Sequence, residues 1–255
     1  MPPATATVPL PSPAPAPDTA RRSAGPRHAP ALAEVRAEME ARGDVAALLF
    51  FGSAQRGEAK PGSDLDLCAL TSGSERWTRG SMVHGVDVQV QFAPLRAWRG
   101  MVERRQPAVV SAFATGELLF DRTGEGAEIT ALARRIHDAG PAALGAFAQD
   151  QKRYWLTNMV RDLEDLPGHG PEAGILCGVV VMEALKAWCA FQRLWADRKP
   201  QVMMRYLRER DPSLTALIEA FYASRAPADA IRVADVVLEM LGGRLYQLST
   251  PPEPA

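Results

Sequence analysis

The pattern of hydrophobic and polar positions divides the chain into two parts that meet near residues 139–141. In the first part, a helical pattern over 31–42 precedes a fully apolar run over 45–51, and apolar and polar residues alternate over 86–90. An apolar run that ends at glycine is typical of a buried strand, and a period of two is typical of a half-buried strand. The first part is therefore predicted to form a small sheet with flanking helices.

No strand pattern continues beyond Pro141, where long helical patterns begin. Four helices with short connections are predicted there, which is typical of a bundle. The predicted fold class is α+β, a small mixed sheet with flanking helices followed by an α-helical bundle domain. The predicted elements are helices over 31–42, 94–104, 108–115, 127–138, 142–166, 171–197, 212–224 and 228–245, and strands over 45–51, 64–70, 76–78, 82–92 and 118–121.

The two ends of the chain have a different composition from the rest. Residues 1–28 are rich in proline, alanine, serine and threonine, with almost no large apolar side chains. Such a segment buries too little surface to offset its ordering entropy, so it is predicted to be a disordered tail. The predicted domains are 29–140 for the sheet and 141–250 for the bundle, and the residues after Thr250 are expected to fray.

Composition and charge narrow the possible functions. The chain has 255 residues, 47% hydrophobic and 23% charged, with a formal net charge of −1. Such a protein lacks the positive field that holds long nucleic acid by counterion release, so long nucleic acid is not an expected partner. The most apolar segment, 174–191, contains Glu183 and Lys186 and is predicted to be a bundle helix rather than a membrane span. No secretory signal pattern is visible, so a cytoplasmic protein without a membrane partner is expected.

The cysteines, histidines and bundle aromatics are assigned mainly structural roles. Three cysteines and four histidines are scattered, and no cysteines form a CxxC pair, so neither a disulfide framework nor a zinc site is expected. Arg153, in the first bundle helix, either contacts a triphosphate or lies on the helix surface. The predicted aromatic core of the bundle consists of Trp155, Trp188, Phe191 and Trp195.

The connection after the first apolar run is the first candidate binding site. Gly52 and Ser53 follow the run directly, and glycine lets the backbone turn and lets a ligand approach closely. If Ser53 begins a short helix, its hydroxyl and the free amides of the first turn form an anion site that fits a triphosphate. The motifs GxxxxGK[ST] and GxGxxG are absent, so neither a P-loop ATPase nor a dinucleotide fold is indicated.

Three aspartates form the second candidate site. In a strand, residues two apart share a face, so Asp64 and Asp66 project together while Leu65 points into the core. Adjacent carboxylates repel each other, and a hard divalent cation such as magnesium relieves the repulsion. Asp87 shares a strand face with Gln89, and it completes the site if the two strands pair. Three carboxylates on one sheet face can hold two magnesium ions for a phosphoryl displacement.

These motifs together resemble the signature of the DNA polymerase beta-like nucleotidyltransferase superfamily. The resemblance covers about residues 45–92 and is greatest to the bacterial branch of minimal and aminoglycoside nucleotidyltransferases. It implies magnesium-dependent transfer of a nucleoside monophosphate, AMP from ATP, to a hydroxyl, with release of pyrophosphate. The residues that carry it are Gly52-Ser53, Arg56-Gly57, Ser63-Asp64-x-Asp66-Leu67 and Asp87.

The resemblance also implies a role for each matched residue. Gly52 and Ser53 would hold the β and γ phosphates of the nucleotide, and Arg56 and Ser63 would complete the nucleotide site. The residues alone leave Arg56 open, because a surface arginine explains it equally well. The implied metal ligands and catalytic residues are Asp64 and Asp66, which would bind both magnesium ions, and Asp87, which would bind the catalytic one.

The acceptor of the nucleotide is left open by the sequence. One interpretation is a small-molecule hydroxyl, such as that of an aminoglycoside, which acidic side chains would line. A second is a side chain of a partner protein, as in the minimal nucleotidyltransferase antitoxins. A third is a module that binds a nucleoside triphosphate without turnover. The bundle fused to the sheet domain favours a self-contained enzyme that modifies a small molecule, and the sequence does not indicate an oligomeric state.

Overall fold

The fold is described by a computed structural model that covers residues 25–166, 170–195 and 200–249. The chain divides between Gly140 and Pro141 into two compact units, here called the sheet domain and the helical domain. The predicted disordered tail falls mostly on residues 1–24 and the predicted frayed end on residues 250–255, and both lie outside the described residues.

The sheet domain contains five strands and four helices among its described residues. The strands are β1 (Val45–Phe51), β2 (Leu65–Thr71), β3 (Trp77–Val83), β4 (Val86–Pro94) and β5 (Glu117–Asp121). The helices are α1 (Ala29–Ala41), α2 (Leu95–Glu103), α3 (Pro107–Thr115) and α4 (Glu125–Asp138). The strand predicted over 45–51 is confirmed residue for residue, because an uninterrupted apolar run between glycines has few other ways to be buried.

The five strands form one mixed sheet in the order β3-β4-β2-β1-β5. Strands β2 and β4 are parallel, whereas β1 pairs antiparallel with β2 and β5, and β3 pairs antiparallel with β4. The fold class predicted from the sequence is confirmed. The parallel pair places the segment that follows Asp64 directly beside the segment that follows Asp87.

Each face of the sheet is covered by different helices. On one face, α1 packs against alternate strand residues that include Leu65, Leu67, Val88 and Val90. On the other face, α2, α3 and α4 pack against Leu49, Cys68, Leu70 and their neighbours. Since residues two apart share a face, Asp66 belongs to the second face together with Cys68.

Two predictions for the sheet domain are wrong in detail. The strand predicted over 82–92 is interrupted, because His84 and Gly85 adopt φ of 49° and 71° and turn the chain back between Val83 and Val86. Positive φ at both central residues is the conformation of a two-residue type I′ hairpin, which matches the twist of the strands. The prediction of a disordered tail over residues 1–28 is also wrong at the C-terminal end of that segment, because residues 26–28 form a turn and His28 is buried.

The helical domain contains five helices among its described residues, whereas four were predicted. They are α5 (Ala146–Asp165), α6 (Pro171–Phe191), α7 (Pro200–Arg210), α8 (Pro212–Ser224) and α9 (Pro227–Leu241). Helix α7 was missed, and α6 ends earlier than predicted. Helix α6 is long and apolar enough to cross a membrane, but its place in the core of this domain accounts for its apolar character.

The aromatic residues of this domain are divided between core and surface. Trp188 and Trp195 are buried, as predicted. The prediction is wrong for Trp155, whose exposed fraction is 58%, and for Phe191, which is also exposed. A helical period assigns a residue to a face of its helix, but the tertiary packing decides whether that face is covered.

Two arginines tie the segment after α9 to α5. Arg153 donates to the carbonyl oxygens of Gly242 and Gly243, at 2.6 and 2.9 Å. Arg244 pairs with Asp235 through two hydrogen bonds and with Glu164 through a third. Arg153 is therefore held by helix-end carbonyls, which are groups that need a donor.

Candidate active site

Two of the three predicted carboxylates, Asp66 and Asp87, lie on one face of the sheet. In the parallel register, Leu65 is opposite Val88 and Asp66 is opposite Gln89. Because Leu65 and Val88 both point toward α1, Asp66, Asp87 and Gln89 belong to the other face. Asp64 directly precedes β2. Asp87 therefore shares a face with Asp66, which is one part of the condition on which the sequence interpretation depends; the other part is that the carboxylates lie close enough to share cations.

The three carboxylates do not form a closed cluster. Asp64 and Asp66 are partly buried, and Asp87 is exposed. Over 25–166, 170–195 and 200–249, no group of three or more His, Cys, Asp or Glu side chains is arranged so that it could hold a metal ion. The structure thus aligns the predicted ligands along neighbouring strands but does not bring their oxygens to a common point.

Gly52 packs directly against Asp66. The last residue of β1, Phe51, pairs with Asp66 across the sheet, so Gly52 leaves the strand beside that carboxylate. Its φ is +89°, and a Cβ built on it would lie 2.4 Å from Oδ2 of Asp66. Both observations require glycine here, because other residues rarely adopt this φ and a side chain would occupy the place of the carboxylate.

Residues 53–57 form turns rather than the short helix expected after Ser53. The first backbone hydrogen bond of the segment runs from the Arg56 amide to the Gly52 carbonyl, at 3.3 Å, and the Glu58 amide donates to the Ser53 carbonyl at 2.9 Å. As in the first turn of a helix, the backbone amides that precede the Arg56 amide do not donate to carbonyl groups within this turn. Those amides belong to Ser53, Ala54 and Gln55, the three residues that follow Gly52.

Arg56 and Ser63, the other predicted nucleotide-binding residues, have partners within the loop. Arg56 forms an ion pair with Glu58 at 2.9 Å on the protein surface. The Ser63 hydroxyl accepts a hydrogen bond from the Lys60 amide at 2.8 Å and closes the turn before Asp64. The structure therefore gives Ser63 a structural role in the loop, and it places Arg56 at the surface near the end of the turn.

His28 is a further residue of this site, and the sequence analysis missed it. Its ring is 3% exposed, and Nε2 lies 3.0 Å from the carbonyl oxygen of Ser63, the residue before Asp64. An imidazole that carries a proton on Nε2 donates to this carbonyl and satisfies it. His28 thus fixes the entry into β2 from the start of α1. In the sequence, His28 is marked only by its position shortly before the predicted α1 helix. That position does not indicate a hydrogen bond to Ser63, which lies 35 residues away.

Cys68 lies below the carboxylates on the same face of β2. Burial raises the pKa of the Cys68 thiol far above its ordinary value, and the nearby Asp66 carboxylate raises it further. A thiol with so high a pKa is neutral at physiological pH and is a poor nucleophile or metal ligand. Cys68 therefore serves as a packing residue beneath the site, in agreement with the structural role predicted for the cysteines.

Comparison with known families decides the class of this site. Residues 32–114 match the family model described as a nucleotidyltransferase domain. Over this segment, the chain is similar to a nucleotidyltransferase domain. It contains the Gly52 turn and all three carboxylates, so the enzyme class predicted from the sequence, a nucleotidyltransferase, is confirmed.

Comparison of whole chains adds little to the nucleotidyltransferase assignment. No curated protein matches the sequence. Among solved structures, the chain is similar to a nucleotidyltransferase-like protein from Exiguobacterium sibiricum 255-15, with 15% identity and a TM-score of 0.45. That match covers 83% of this chain and 73% of the other. The nucleotidyltransferase assignment rests on the match over residues 32–114.

Proposed function

We propose that this nucleotidyltransferase transfers a nucleoside monophosphate, AMP from ATP, to a hydroxyl of a small-molecule acceptor and releases pyrophosphate. The observation that carries the proposal is the contact between Gly52 and Asp66, within the matched domain and on the sheet face that also holds Asp87. This turn would place phosphate-binding amides near Asp66. The neighbouring carboxylates Asp64 and Asp66 repel each other, and folding stability alone does not favour such a pair.

The donor atoms on this face fit magnesium. Asp64, Asp66 and Asp87 offer carboxylate oxygens, which hard divalent cations prefer, and the cysteine among them is a neutral thiol. Like charges repel, so the three side chains are expected to converge only around cations. Bound magnesium would neutralise charge on the phosphates and on the oxygens that attack and leave. We propose Asp64 and Asp66 as ligands of two ions and Asp87 as a ligand of one.

The turn after β1 is proposed to hold the triphosphate. The amides of Ser53, Ala54 and Gln55 would donate to the β and γ phosphates, with the Ser53 hydroxyl beside them. Gly52 would let the phosphates approach the backbone closely, because it carries no side chain. Arg56 and Ser63 would then contribute only indirectly, by holding the shape of this loop.

The proposed reaction is a single displacement at the α phosphorus. The acceptor oxygen forms a bond to the α phosphorus, the bond from that phosphorus to its bridging β oxygen breaks, and pyrophosphate leaves with that oxygen. The hydroxyl proton passes to the Asp87 carboxylate and then to solvent. Asp87 suits this role because it is the most exposed of the three carboxylates, so both the acceptor and water can reach it.

The test is pyrophosphate release from ATP, GTP, CTP and UTP with magnesium and a panel of hydroxyl acceptors. We expect ATP to be preferred, and we expect Asp64→Asn and Asp66→Asn to abolish release while leaving the circular dichroism spectrum unchanged. Asp165→Asn, an exposed carboxylate at the end of α5, is the matched control and should retain activity. Nucleotide binding without turnover, or activity that survives the loss of Asp66, would overturn the proposal. Transfer only to a protein side chain would replace the small-molecule acceptor.

A further inference from the structure

The residues beside Asp87 form a surface of their own, which we call the β3–β4 surface. Strand β3 pairs antiparallel with β4, so Met82 is opposite Asp87, Gly80 is opposite Gln89 and Thr78 is opposite Gln91. Directly opposed residues of an antiparallel pair share a face and lie about 5 Å apart. The β3–β4 surface therefore consists of Met82, Gly80, Thr78, Gln89 and Gln91, on the same side of the sheet as Asp66 and Asp87.

The β3–β4 surface is accessible and carries no formal charge. Met82 is 69% exposed, although large apolar side chains are usually covered. A Cβ added to Gly80 would meet no heavy atom within 4 Å, so the space above it is open. The other members, Gln89, Gln91 and Thr78, offer neutral amide and hydroxyl groups. A molecule lying here would find an apolar contact beside Asp87 and neutral hydrogen-bonding groups along β4.

The far end of the β3–β4 surface adjoins a shallow depression in the protein surface. Thr78 and Gln91 line a shallow, open depression of about 300 Å³ together with Trp98, and the charged residue in its lining is Arg76. Gln91 is four residues from Asp87, which corresponds to about 13 Å along a strand at ~3.3 Å per residue. A small molecule that reaches from this depression to Asp87 would be of ordinary metabolite size. The Arg76 side chain in the lining would not favour a positively charged ligand.

We infer that the acceptor of the proposed reaction is an uncharged hydroxyl compound bound along the β3–β4 surface, not a polycationic amino sugar. The inference rests on the proposed function. Ammonium groups on an acceptor gain affinity from carboxylates on the protein surface and lose affinity beside a protein cation such as Arg76. On β2, β3 and β4, which the structure describes in full, the acidic residues are Asp66 and Asp87, with Asp64 just before β2. These three carboxylates are proposed to bind magnesium, so their negative charge would not be available to pair with the ammonium groups of an amino sugar.

The first experiment compares acceptors at saturating magnesium-ATP. Neutral polyols and glycosides are compared with polycationic amino sugars by pyrophosphate release and by the mass of the nucleotidylated product. We expect kcat/KM to be higher for neutral acceptors by at least about tenfold, an electrostatic preference that salt reduces. Turnover confined to polycationic acceptors would overturn this inference and leave the proposed function intact. Absence of pyrophosphate release with every acceptor would instead reject the proposed function, and the inference with it.

The second experiment changes the β3–β4 surface. Met82→Glu adds a carboxylate beside Asp87 and should shift the preference toward cationic acceptors by about tenfold. Ala33→Glu is the matched control, because it adds the same charge at an exposed position of α1, on the opposite face of the sheet. Gln89→Leu should raise the KM for the acceptor while the KM for ATP stays unchanged. An equal response to Met82→Glu and Ala33→Glu, or unchanged acceptor KM in Gln89→Leu, would overturn the placement of the acceptor.

Discussion

Replacement of Gly52 by alanine tests the contact on which the candidate site depends. Alanine at φ +89° is strained, which costs about 1–2 kcal/mol of stability. Its Cβ would also lie 2.4 Å from Oδ2 of Asp66, far inside contact distance, so the carboxylate must rotate away. Overpacking of this kind adds roughly 1–3 kcal/mol. We therefore expect Gly52→Ala to lower the free energy of unfolding by about 2–5 kcal/mol in total.

A second glycine separates the backbone strain from the contact with Asp66. Gly124 has a φ of +80°, and a Cβ added to it would meet no heavy atom within 4 Å. Gly124→Ala should therefore lose only the strain term, about 1–2 kcal/mol, and should keep its pyrophosphate release. Gly52→Ala should lose most of that activity, because the displaced Asp66 carboxylate is a proposed metal ligand.

Urea unfolding measured in two backgrounds completes the test. In an Asp66→Ala chain the conflicting carboxylate is gone and only the Cβ of residue 66, at 3.3 Å, remains near the added methyl group, so the cost of Gly52→Ala should fall close to that of Gly124→Ala. The coupling between Gly52 and Asp66 in this double-mutant cycle should be roughly 1–3 kcal/mol. A cost of Gly52→Ala that is the same in both backgrounds, or full activity of Gly52→Ala, would refute the reasoning.

Three further predictions concern residues around and away from the site. His28→Ala leaves the Ser63 carbonyl without its donor, so it should lower the free energy of unfolding by about 1–3 kcal/mol and reduce turnover. Replacement of the exposed His84 should cost little stability. Equal urea midpoints for the two variants would contradict this prediction. Arg244→Lys replaces the planar guanidinium that binds both Asp235 and Glu164, and it should lower the free energy of unfolding by about 1–2 kcal/mol. An unchanged urea midpoint would show that the guanidinium has no such role. Burial raises the pKa of Cys189 from 9.0 to about 12, so the unfolded chain loses this proton first and stability falls as the pH rises above 9.0. When the pH is raised from about 8 to about 10, the parent chain should lose ~1.4 kcal/mol more unfolding free energy than Cys189→Ala. Parallel curves of stability against pH for the two chains would contradict this prediction.

Features encoded by neighbouring residues were predictable from the sequence. The apolar run over 45–51 predicted β1 residue for residue, because a continuous apolar strand needs burial on both faces. The alternation of 86–90 correctly separated Val86, Val88 and Val90, which face α1, from Asp87 and Gln89. The class of enzyme followed from the order of the motifs along the chain. These features depend on periods of two or 3.6 residues, which a short segment specifies by its own composition.

Features that join distant residues were decided only by the tertiary structure. The parallel pairing of β2 with β4, the packing of Gly52 against Asp66 and the hydrogen bond from His28 to Ser63 each connect segments whose local patterns do not name a partner. The exposure of Trp155 was equally hidden, because a helical period shows a face but not what covers it. Such contacts form when the whole chain buries its apolar surface at once, so pairing and burial depend on all segments together.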